Sequence, residues 1–516
     1  MDNQPSRTDA ENGLSLAARV RRVSHAVASI ALVGLVFGYV QAQTFGIIGV
    51  DGYYHIRWSR ILWEGFMRGE LPEFTWLPLT ILDAPRYVDH HFLFHVLQIP
   101  FTWFGDLIVG AKVSAVVFGS AAILACYGLI LRSRVPWPQV WLIALLASSS
   151  HFMQRMANPR AMSVTIITLV VAIFLLFAKR YLWIGVLAFS LVWMYSLFPL
   201  LIVLAVAWTI GDWWESGRLD WRPVVYACVG IALGLVINPY FPENIVLLVD
   251  HAMMKVAEDS TLLVGAEWYP LDTWSMVTYA TVAVAAQVGG WLCVRPEHRK
   301  ASAQSICLLL FSTFLALLAF KARRFLEYWP PFAVVFFAFA LRPWLERLNL
   351  RELASAWRIA AVGACAAVVV SLVAMLFVVI HQALMIDAPA DDPIVYAGAS
   401  RWLEGNTPPS SLVFNADWDD FPLLFFHDTH NSYVSGLDPT YLLYANPATA
   451  AEYDRITRGE VQSPGASIIS RFGAQFAVTA KDREHEEFIR RARADRSMRA
   501  VYEDDHAVVF AIAPQP

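Results

Sequence analysis

The segment that follows the first apolar stretch reads GVDGYYHIRWSRIL, residues 49–62. If this segment is a helix, an i, i+3, i+4, i+7 spacing places four side chains on one face: Asp51, Tyr54, His55 and Trp58. A carboxylate, a histidine and two aromatic rings therefore stand together at the edge of a segment suited to lipid. The same spacing also fits a helix lying on the membrane surface, with Asp51 as its N-cap and the rings in an interfacial belt.

The composition indicates a membrane protein. The 516-residue chain is 57% hydrophobic and 16% charged, whereas soluble domains carry about 25% charged residues. A formal net charge of −4 without a basic tail argues against nucleic acid as a partner. The five cysteines lie inside apolar runs and form neither a metal-ligand spacing nor a disulfide framework.

Apolar stretches recur along the chain at lengths that approach a bilayer span of roughly 20 residues. The eleven stretches lie near residues 24–44, 107–131, 138–152, 161–178, 181–197, 199–211, 223–239, 275–294, 302–320, 330–342 and 358–382. A further stretch, residues 92–104, is too short to span alone and would be re-entrant, interfacial or part of the second span. The fold class we expect is a polytopic α-helical membrane protein with about 11–13 transmembrane helices and a C-terminal extracytoplasmic α/β domain.

The basic residues of the short loops set the expected orientation. They place the N-terminus in the cytoplasm, and an odd number of spans then places the chain after about residue 382 outside. We expect a multi-pass protein of the plasma or inner membrane, in which the first span is an uncleaved anchor. The expected divisions are a cytoplasmic segment (1–22), a membrane domain (23–385) with large external loops (45–92 and 241–274), and an external α/β domain (386–516).

The external domain is predicted from alternating patterns near the C-terminus. GAQFAVTAK (473–481) is typical of a strand, and EHEEFIRRARAD (484–495) is typical of an amphipathic helix. AVYEDDHAVVFAI (500–512) predicts a hairpin that turns at its acidic residues.

Four arginines break the positive-inside pattern, because they fall on the outer side close to the membrane: Arg155, Arg160, Arg323 and Arg324. Outward arginines beside apolar spans are paired or functional, or they extend to lipid headgroups.

The motifs in their order resemble a known family. DGYYHIR (51–57), after a first span, resembles the start of the first external loop in catalytic subunits of oligosaccharyltransferases. These are polytopic inverting glycosyltransferases of the GT-C class that use polyprenyl-linked donors. Four further segments follow in the family's order: NPYFPEN (238–244), GAEWYPLDTW (265–274), KARRFLEYWPPFAVVF (321–336) and FNADWDDFPLLFF (414–426). The resemblance covers nearly the whole chain by order and topology, although each motif alone is loose.

The resemblance implies roles for individual residues. The family's loop aspartate binds a divalent metal and contacts the acceptor, which nominates Asp51, and a glutamate near the acceptor nominates Glu267. Both are expected to be catalytic. The family's arginine beside the donor phosphate corresponds to Arg324, with Arg323 as the second choice.

The acceptor is expected at the FNADWDDF segment. Trp418 and Asp419 match the second and third residues of the family's acceptor-reading signature. Tyr54 and His55, on the face of Asp51, complete the expected acceptor-binding set. DWDDF replaces an aromatic-rich signature, so the resemblance leaves open whether the acceptor is a protein or a glycan.

The expected metal site departs from the family. Where the family has an acidic pair, this chain reads HFMQRMANPRAMSV (151–164), without a carboxylate. A divalent metal, Mn²⁺ or Mg²⁺, bound by Asp51 would then need Asp89, His90 and His91, a set that suits Mn²⁺ or Zn²⁺ better than Mg²⁺. The alternative is that Arg155 and Arg160 neutralise the donor phosphate without a metal.

The sequence therefore predicts an inverting transfer of a glycan from a polyprenyl-(di)phosphate-linked donor to an extracytoplasmic protein or glycan. The partners we expect are the lipid-linked donor, the acceptor and membrane lipid. A transferase that moves one sugar from polyprenyl phosphate onto a glycan or lipid is the alternative within the class. A transporter or a non-catalytic scaffold is the alternative of another class, but the charges gather on the outer face rather than within the spans, Lys112 excepted.

Overall fold

The computed structural model describes residues 7–256, 266–294, 302–348, 355–386 and 392–513. The helices of the membrane domain are α1 (Arg7–Ala42), α2 (Asp51–Arg68), α3 (Phe92–Gln98), α4 (Leu107–Arg132), α5 (Pro138–Leu146), α6 (Ser150–Met156), α7 (Met162–Phe177), α8 (Tyr181–Val192), α9 (Pro199–Ser216), α10 (Arg222–Val236), α11 (Glu243–Val256), α12 (Thr273–Tyr279), α13 (Thr281–Cys293), α14 (Ala303–Lys321), α15 (Trp329–Arg347) and α16 (Ser355–Ile386). Short 3₁₀ turns join them at Ile99–Trp103, Ala266–Trp268 and Arg323–Glu327.

Each of the apolar stretches predicted from the sequence is helical in the structure. The stretch 138–152 is divided, because helix α5 ends at Leu146 and the Ser149 hydroxyl caps α6 by accepting from the backbone N–H of Phe152. The stretch 275–294 is also bent, since α12 and α13 meet at 96°.

The described residues contain four helices that are long and apolar enough to cross a membrane. They are Val23–Ala42, Leu107–Arg132, Ala303–Lys321 and Trp357–Ile386, and the bent pair α12–α13 would make a fifth. Shorter apolar helices occur at Phe92–Trp103, Met162–Phe177, Tyr181–Val192 and Arg222–Val236. The expected number of spans therefore stays a prediction.

Lys112, a cation inside the second apolar stretch, has a local structural role. The Lys112 ammonium donates to the backbone carbonyls of Gln41 at 3.2 Å, Thr44 at 2.6 Å and Phe45 at 3.1 Å. A cation at a helix C-terminus satisfies carbonyls that have no partner within the helix. Lys112 thus holds the end of α1 against α4.

The start of α2 is fixed by close backbone packing. Gly49 has a φ of +81°, which an L side chain rarely adopts, and the chain turns there into α2. At Gly52 an added Cβ would lie 2.5 Å from Ile47 and 2.7 Å from Pro159. This contact sets the first turn of α2 against the segment between α6 and α7.

The C-terminal domain is a mixed five-stranded sheet with surrounding helices. Its strands are β1 (Leu412–Asn415), β2 (Ser432–Tyr433), β3 (Phe476–Ala480), β4 (Met498–Glu503) and β5 (Ala507–Ile512), in the spatial order β2-β1-β3-β5-β4. Strands β2, β1 and β3 are parallel, and β5 runs antiparallel to β3 and β4. The helices are α17 (Ile394–Asn406), α18 (Phe421–His427), α19 (Pro439–Ala445), α20 (Pro447–Thr457), α21 (Pro464–Ser467) and α22 (Glu486–Ala494), with a π-helical turn at Ile468–Phe472. The strand, helix and hairpin predicted near the C-terminus coincide with β3, α22 and β4–β5.

The C-terminal domain packs on α2 and the loop that follows it through aromatic rings. The centroids of Tyr53 and Phe426 lie 5.1 Å apart, and those of Trp76 and Phe425 lie 5.0 Å apart. The backbone N–H of Tyr433 also donates to the carbonyl of Trp76 at 2.8 Å. Buried aromatic pairs of this kind contribute beyond their buried area, so α2 is fixed between the membrane helices and the sheet.

Candidate active site

One cavity of about 1870 Å³ lies between the membrane helices and the C-terminal domain. Every site residue nominated from the sequence lines it: Asp51, Tyr54, His55, Asp89, His90, His91, Arg155, Arg160, Glu267, Arg323, Arg324, Trp418 and Asp419. The fold therefore brings together residues that are far apart in sequence. Their individual roles stay predictions.

Asp51 stands at the first turn of α2, beside one of the outward arginines. Its Oδ2 lies 3.0 Å from Nη2 of Arg160, and both side chains are mostly buried. Arg160 comes from the segment that packs against Gly52. The close packing at the start of α2 thus sets the position of this ion pair.

Glu267 is held between two arginines. Its Oε2 accepts from Nη2 of Arg155 at 2.8 Å, and its Oε1 accepts from Nη1 of Arg324 at 2.7 Å. Burial alone would raise the pKa of Glu267, but the guanidinium groups of Arg324 and Arg155 hold it well below its usual range. Glu267 is therefore ionised and already accepts from a guanidinium at each oxygen.

Arg324 is held by aromatic partners as well. Its Nη2 donates to the hydroxyl of Tyr195 at 2.5 Å, and its guanidinium carbon lies 4.7 Å from the ring centroid of Trp268. A ring face and a hydroxyl orient the planar guanidinium without neutralising its charge. Arg323 lines the same wall, and its backbone N–H donates to the carbonyl of Tyr269.

A second carboxylate lies behind these arginines. Glu327 is 1% exposed, and its Oε1 lies 3.4 Å from Nε of Arg155. Burial raises the pKa of Glu327 despite the nearby Arg155 and Arg324. Glu327 follows Arg324 closely in the chain, so its proximity to this arginine was a signal available in the sequence.

The four residues predicted to bind a metal are not assembled as ligands. Asp89 accepts from Nε1 of Trp58 at 2.9 Å and from Nδ1 of His95 at 2.7 Å, and it also accepts from the backbone N–H of His91. Asp51 is paired with Arg160 instead.

Within the described ranges, no group of three or more His, Cys, Asp or Glu side chains is placed to hold a metal ion. The set Asp51, Asp89, His90 and His91 therefore does not fit a divalent metal, because its carboxylates are committed to other partners. A metal cofactor stays a prediction.

The predicted acceptor contacts from α2 have their polar atoms engaged. The Tyr54 hydroxyl lies 2.9 Å from that of Tyr87, and Nδ1 of His55 lies 2.7 Å from Nε2 of His95. Burial lowers the pKa of His55 well below its usual value, so the ring is neutral. These residues support the wall of the cavity, and an acceptor contact from them stays a prediction.

Trp418 and Asp419 lie in the loop after β1. The Asn415 side chain donates to the carbonyl of Asp417 at 2.6 Å, and the backbone N–H of Asp419 donates to Oδ1 of Asp417 at 3.0 Å. These bonds fix the loop, in which Trp418 is half-buried and Asp419 is exposed, and both residues line the cavity.

Part of the second external loop, predicted at 241–274, belongs to the site. Glu267 and Trp268 lie in its last turn, and α11 forms its beginning, whereas residues 257–265 lie outside the described part of the chain. Tyr195, Tyr396 and His485 also line the cavity, and none of them was predicted from the sequence. No local pattern marks Tyr195, because its partner Arg324 lies 129 residues away.

Comparison with known proteins identifies proteins that share this fold. No family model and no curated protein matches the chain. Among solved structures, the oligosaccharyltransferase of Archaeoglobus fulgidus in its apo form matches with a TM-score of 0.64 and 12% identity, over 91% of this chain and 71% of that one. The same archaeal enzyme in complex with an inhibitory peptide and a dolichol-phosphate matches with a TM-score of 0.62 and 13% identity, with the same coverage.

ArnT from Cupriavidus metallidurans bound to undecaprenyl phosphate matches with a TM-score of 0.56 and 15% identity, over 95% of this chain and 99% of that one. At these identities the likeness shows the fold. The chain has the fold of GT-C membrane glycosyltransferases, as the order of its motifs predicted. Its apolar helices and this fold describe an integral membrane protein.

Proposed function

We propose that this chain is an inverting glycosyltransferase that transfers a glycan from a polyprenyl-phosphate-linked donor to an extracytoplasmic acceptor. The observation that carries the proposal is the placement of Asp51 and the paired arginines Arg155, Arg160 and Arg324 around one cavity beside apolar helices. The dolichol-phosphate and undecaprenyl phosphate bound by the structural neighbours support this class of donor.

The donor phosphate would bind Arg155 and Arg324. In the structure these guanidinium groups hold the carboxylate of Glu267, and the same fork of donors matches phosphate oxygens. The phosphate would take the place of that carboxylate. Cations at this point stabilise the charge that develops on the leaving phosphate.

Asp51 would act as the general base. The acceptor heteroatom attacks the anomeric carbon, the bond from that carbon to the phosphate oxygen breaks, and the bonding electrons leave on the phosphate. The acceptor proton passes to the Asp51 carboxylate. A single displacement of this kind inverts the anomeric configuration.

Arg160 is assigned to the base rather than to the phosphate. Attack and departure take place on opposite faces of the sugar in a single displacement, so the base and the phosphate-binding groups would face opposite sides of the sugar. Arg160 contacts Asp51 at 3.0 Å, and it would orient this carboxylate toward the acceptor.

Transfer of label from a polyprenyl-linked sugar tests the proposal. Asp51→Asn should lower transfer about 100-fold or more while donor binding is retained, and Arg324→Ala should weaken donor binding about tenfold or more. Glu64→Gln is the matched control, because Glu64 pairs with Arg60 on the exposed side of α2. Full transfer by the Asp51 variant would overturn the base assignment. Donor binding without any transfer by the wild-type protein would favour a scaffold.

A second candidate is the transfer of one sugar from polyprenyl monophosphate onto a glycan or lipid. It is favoured because arginines replace the acidic pair that the oligosaccharyltransferase resemblance predicts, and because the predicted metal ligands are committed to other partners. The near-complete coverage of the ArnT chain agrees. Parallel assays with a monophosphate-linked monosaccharide and a diphosphate-linked oligosaccharide would separate the two candidates.

A further inference from the structure

The outer end of the cavity is formed by the carboxyl edge of the sheet. Strands β1, β2 and β3 are parallel, so the loops that follow them lie at one edge. Each loop contributes an acidic residue to the cavity: Asp417 and Asp420 after β1, Asp438 after β2 and Asp482 after β3. In open α/β sheets, ligands bind in the crevice outside the carboxyl ends of the strands.

The hairpin between β4 and β5 adds to the same edge. The backbone N–H of Lys481 donates to the carbonyl of His506 at 2.7 Å, which joins the turn to the loop after β3. Asp505 in this turn also lines the cavity. The outer end is therefore acidic, whereas the arginines make the membrane end basic.

The cations at the outer end are already paired with carboxylates. Nζ of Lys481 lies 2.9 Å from Oε1 of Glu503. Nδ1 of His485 lies 2.6 Å from Oδ1 of Asp482. Nε2 of His485 also faces Oδ2 of Asp420 at 3.6 Å. One imidazole is therefore shared by Asp482 and Asp420, and the carboxylates at this edge outnumber the cations.

Three buried polar atoms at this edge have no hydrogen-bond partner among the described residues. They are the hydroxyl of Tyr396, Oδ2 of Asp420 and Nε2 of His485. Tyr396 is 1% exposed and His485 is 5% exposed, and both side chains line the cavity. The Asp420 and His485 atoms form an ion pair at 3.6 Å, and Tyr396 interacts with the same carboxyl. The three groups therefore face one another without a hydrogen bond of ordinary geometry. Buried polar atoms are nearly always hydrogen-bonded, so this group points to a ligand that supplies the bonds.

We infer that the carboxyl edge of the sheet is a subsite for an acceptor bearing a protonated amine, which Asp417 and Asp420 bind while Tyr396 and His485 contact its neighbouring polar atoms. That the amine belongs to an acceptor rests on the proposed function, whereas the binding of an amine at this edge does not depend on it. An ammonium group supplies hydrogen-bond donors and the charge that this edge lacks. Phosphate is repelled from this end, so the two substrates sort to opposite ends of the cavity.

A proton release on binding follows from the same geometry. Burial raises the pKa of Asp420 to about 7. An ammonium group beside this carboxyl favours its ionised form. Binding of an amine near neutral pH therefore displaces a proton into the buffer.

Matched pairs of amine and acetylated compound test the inference on the full chain in lipid nanodiscs. The probes are glucosamine against N-acetylglucosamine, and a lysine-containing tripeptide against its ε-acetyl-lysine counterpart. We expect the amine of at least one pair to saturate the protein at about tenfold lower concentration than its acetylated partner. Titrations in buffers of different ionisation enthalpy should detect proton release.

Asp417→Asn and Asp420→Asn should each remove this preference, whereas Glu452→Gln, an exposed partner of Arg455 on α20, should retain it. Equal binding of both members of both pairs, or a preference that persists in the two aspartate variants, would overturn the inference. Undecaprenyl phosphate binding by the same samples reports folding and separates the two proposals. If the protein binds the lipid phosphate but shows no preference for the amine, only the amine subsite is wrong. If it prefers the amine but does not bind the lipid phosphate, only the proposed donor is wrong.

Discussion

At the scale of single residues, Glu267 carries the most information about the proposed donor site. The resemblance nominates it as a catalytic group, but the structure places its carboxylate between the guanidinium groups of Arg155 and Arg324. A group in this position competes with a phosphate for the same hydrogen-bond donors. The sequence predicted the arginines because their sidedness is unusual. It could not predict their pairing with Glu267, since that contact depends on the fold.

This competition gives a prediction. Glu267→Gln should bind undecaprenyl phosphate more tightly than the wild-type protein, by about tenfold, because the neutral amide no longer neutralises the two arginines. Equilibrium binding to protein in detergent would measure the change. Glu64→Gln removes an exposed carboxylate and should leave the affinity unaltered. If instead the Glu267 variant binds the lipid as before and loses turnover, the catalytic nomination is favoured.

At the scale of elements, the sequence was most informative where one periodic pattern covers a whole helix. The apolar stretches, α2, α22 and the β4–β5 hairpin all follow from periodicity. Asp51 begins α2 as its first helical residue, with Val50 at the N-cap, rather than capping the helix itself. The break between α5 and α6 was not predicted, since it depends on a serine cap inside an apolar run. The two-residue strand β2 is too short to give a pattern.

The first turn of α2 offers a test at this scale. Gly52→Ala should force Ile47 and Pro159 apart, at a cost of about 1–3 kcal/mol, and should shift Asp51 relative to Arg160. The temperature of thermal unfolding and the rate of sugar transfer should both fall. Gly405→Ala on α17 is the matched control, because no atom lies within 4 Å of the added methyl group. Unchanged transfer by the Gly52 variant would contradict this account of how Asp51 is positioned.

His485, in the loop between β3 and α22, is expected to make the stability of the protein depend on pH. Burial alone would lower the pKa of His485, but its hydrogen bond to Asp482 and the charge of Asp420 raise the pKa to about 9. The unfolded chain's histidine titrates near 6.5, so the stabilisation is complete below about pH 6.5 and is lost as the pH rises through 9.

Thermal unfolding measured between pH 6 and pH 10 checks this expectation. The free energy of unfolding of the wild-type protein should fall by on the order of 3 kcal/mol over this range, and that of His485→Gln should fall by less. Asp420, whose pKa burial raises to about 7, acts in the same direction at lower pH, because its folded form holds a proton that the unfolded chain releases near pH 4. Equal pH profiles of the two proteins would show that His485 does not carry the effect.

At the scale of the whole molecule, the fold places a basic and an acidic region at opposite ends of one cavity. The sidedness of the arginines anticipated the first. The resemblance pointed to the loop after β1, through Trp418 and Asp419, but it did not single out Asp417 or Asp420. The acidic edge as a whole could not be predicted, because its members come from loops after three strands whose order β2-β1-β3 is not readable from the sequence.

The orientation proposed for the chain is testable at this scale. Asn406→Cys, on the exposed end of α17, should react with a membrane-impermeant maleimide in intact cells. Ser216→Cys, at the end of α9 in a loop expected to be cytoplasmic, should react only after the membrane is opened. The wild-type chain gives the background from the native cysteines. The reverse pattern would invert the proposed topology.

The position of α2 between the membrane helices and the C-terminal domain has one more consequence. Its first turn carries Asp51 toward the arginines, while Tyr53 packs on Phe426 and Arg57 donates to Thr429 of the C-terminal domain. If binding of a ligand at the acidic edge moved the sheet, α2 would therefore tilt with it and Asp51 would change its position. Linkage then requires that each substrate alter the affinity for the other by an equal factor, so the chain would respond to its two reactants jointly rather than one by one.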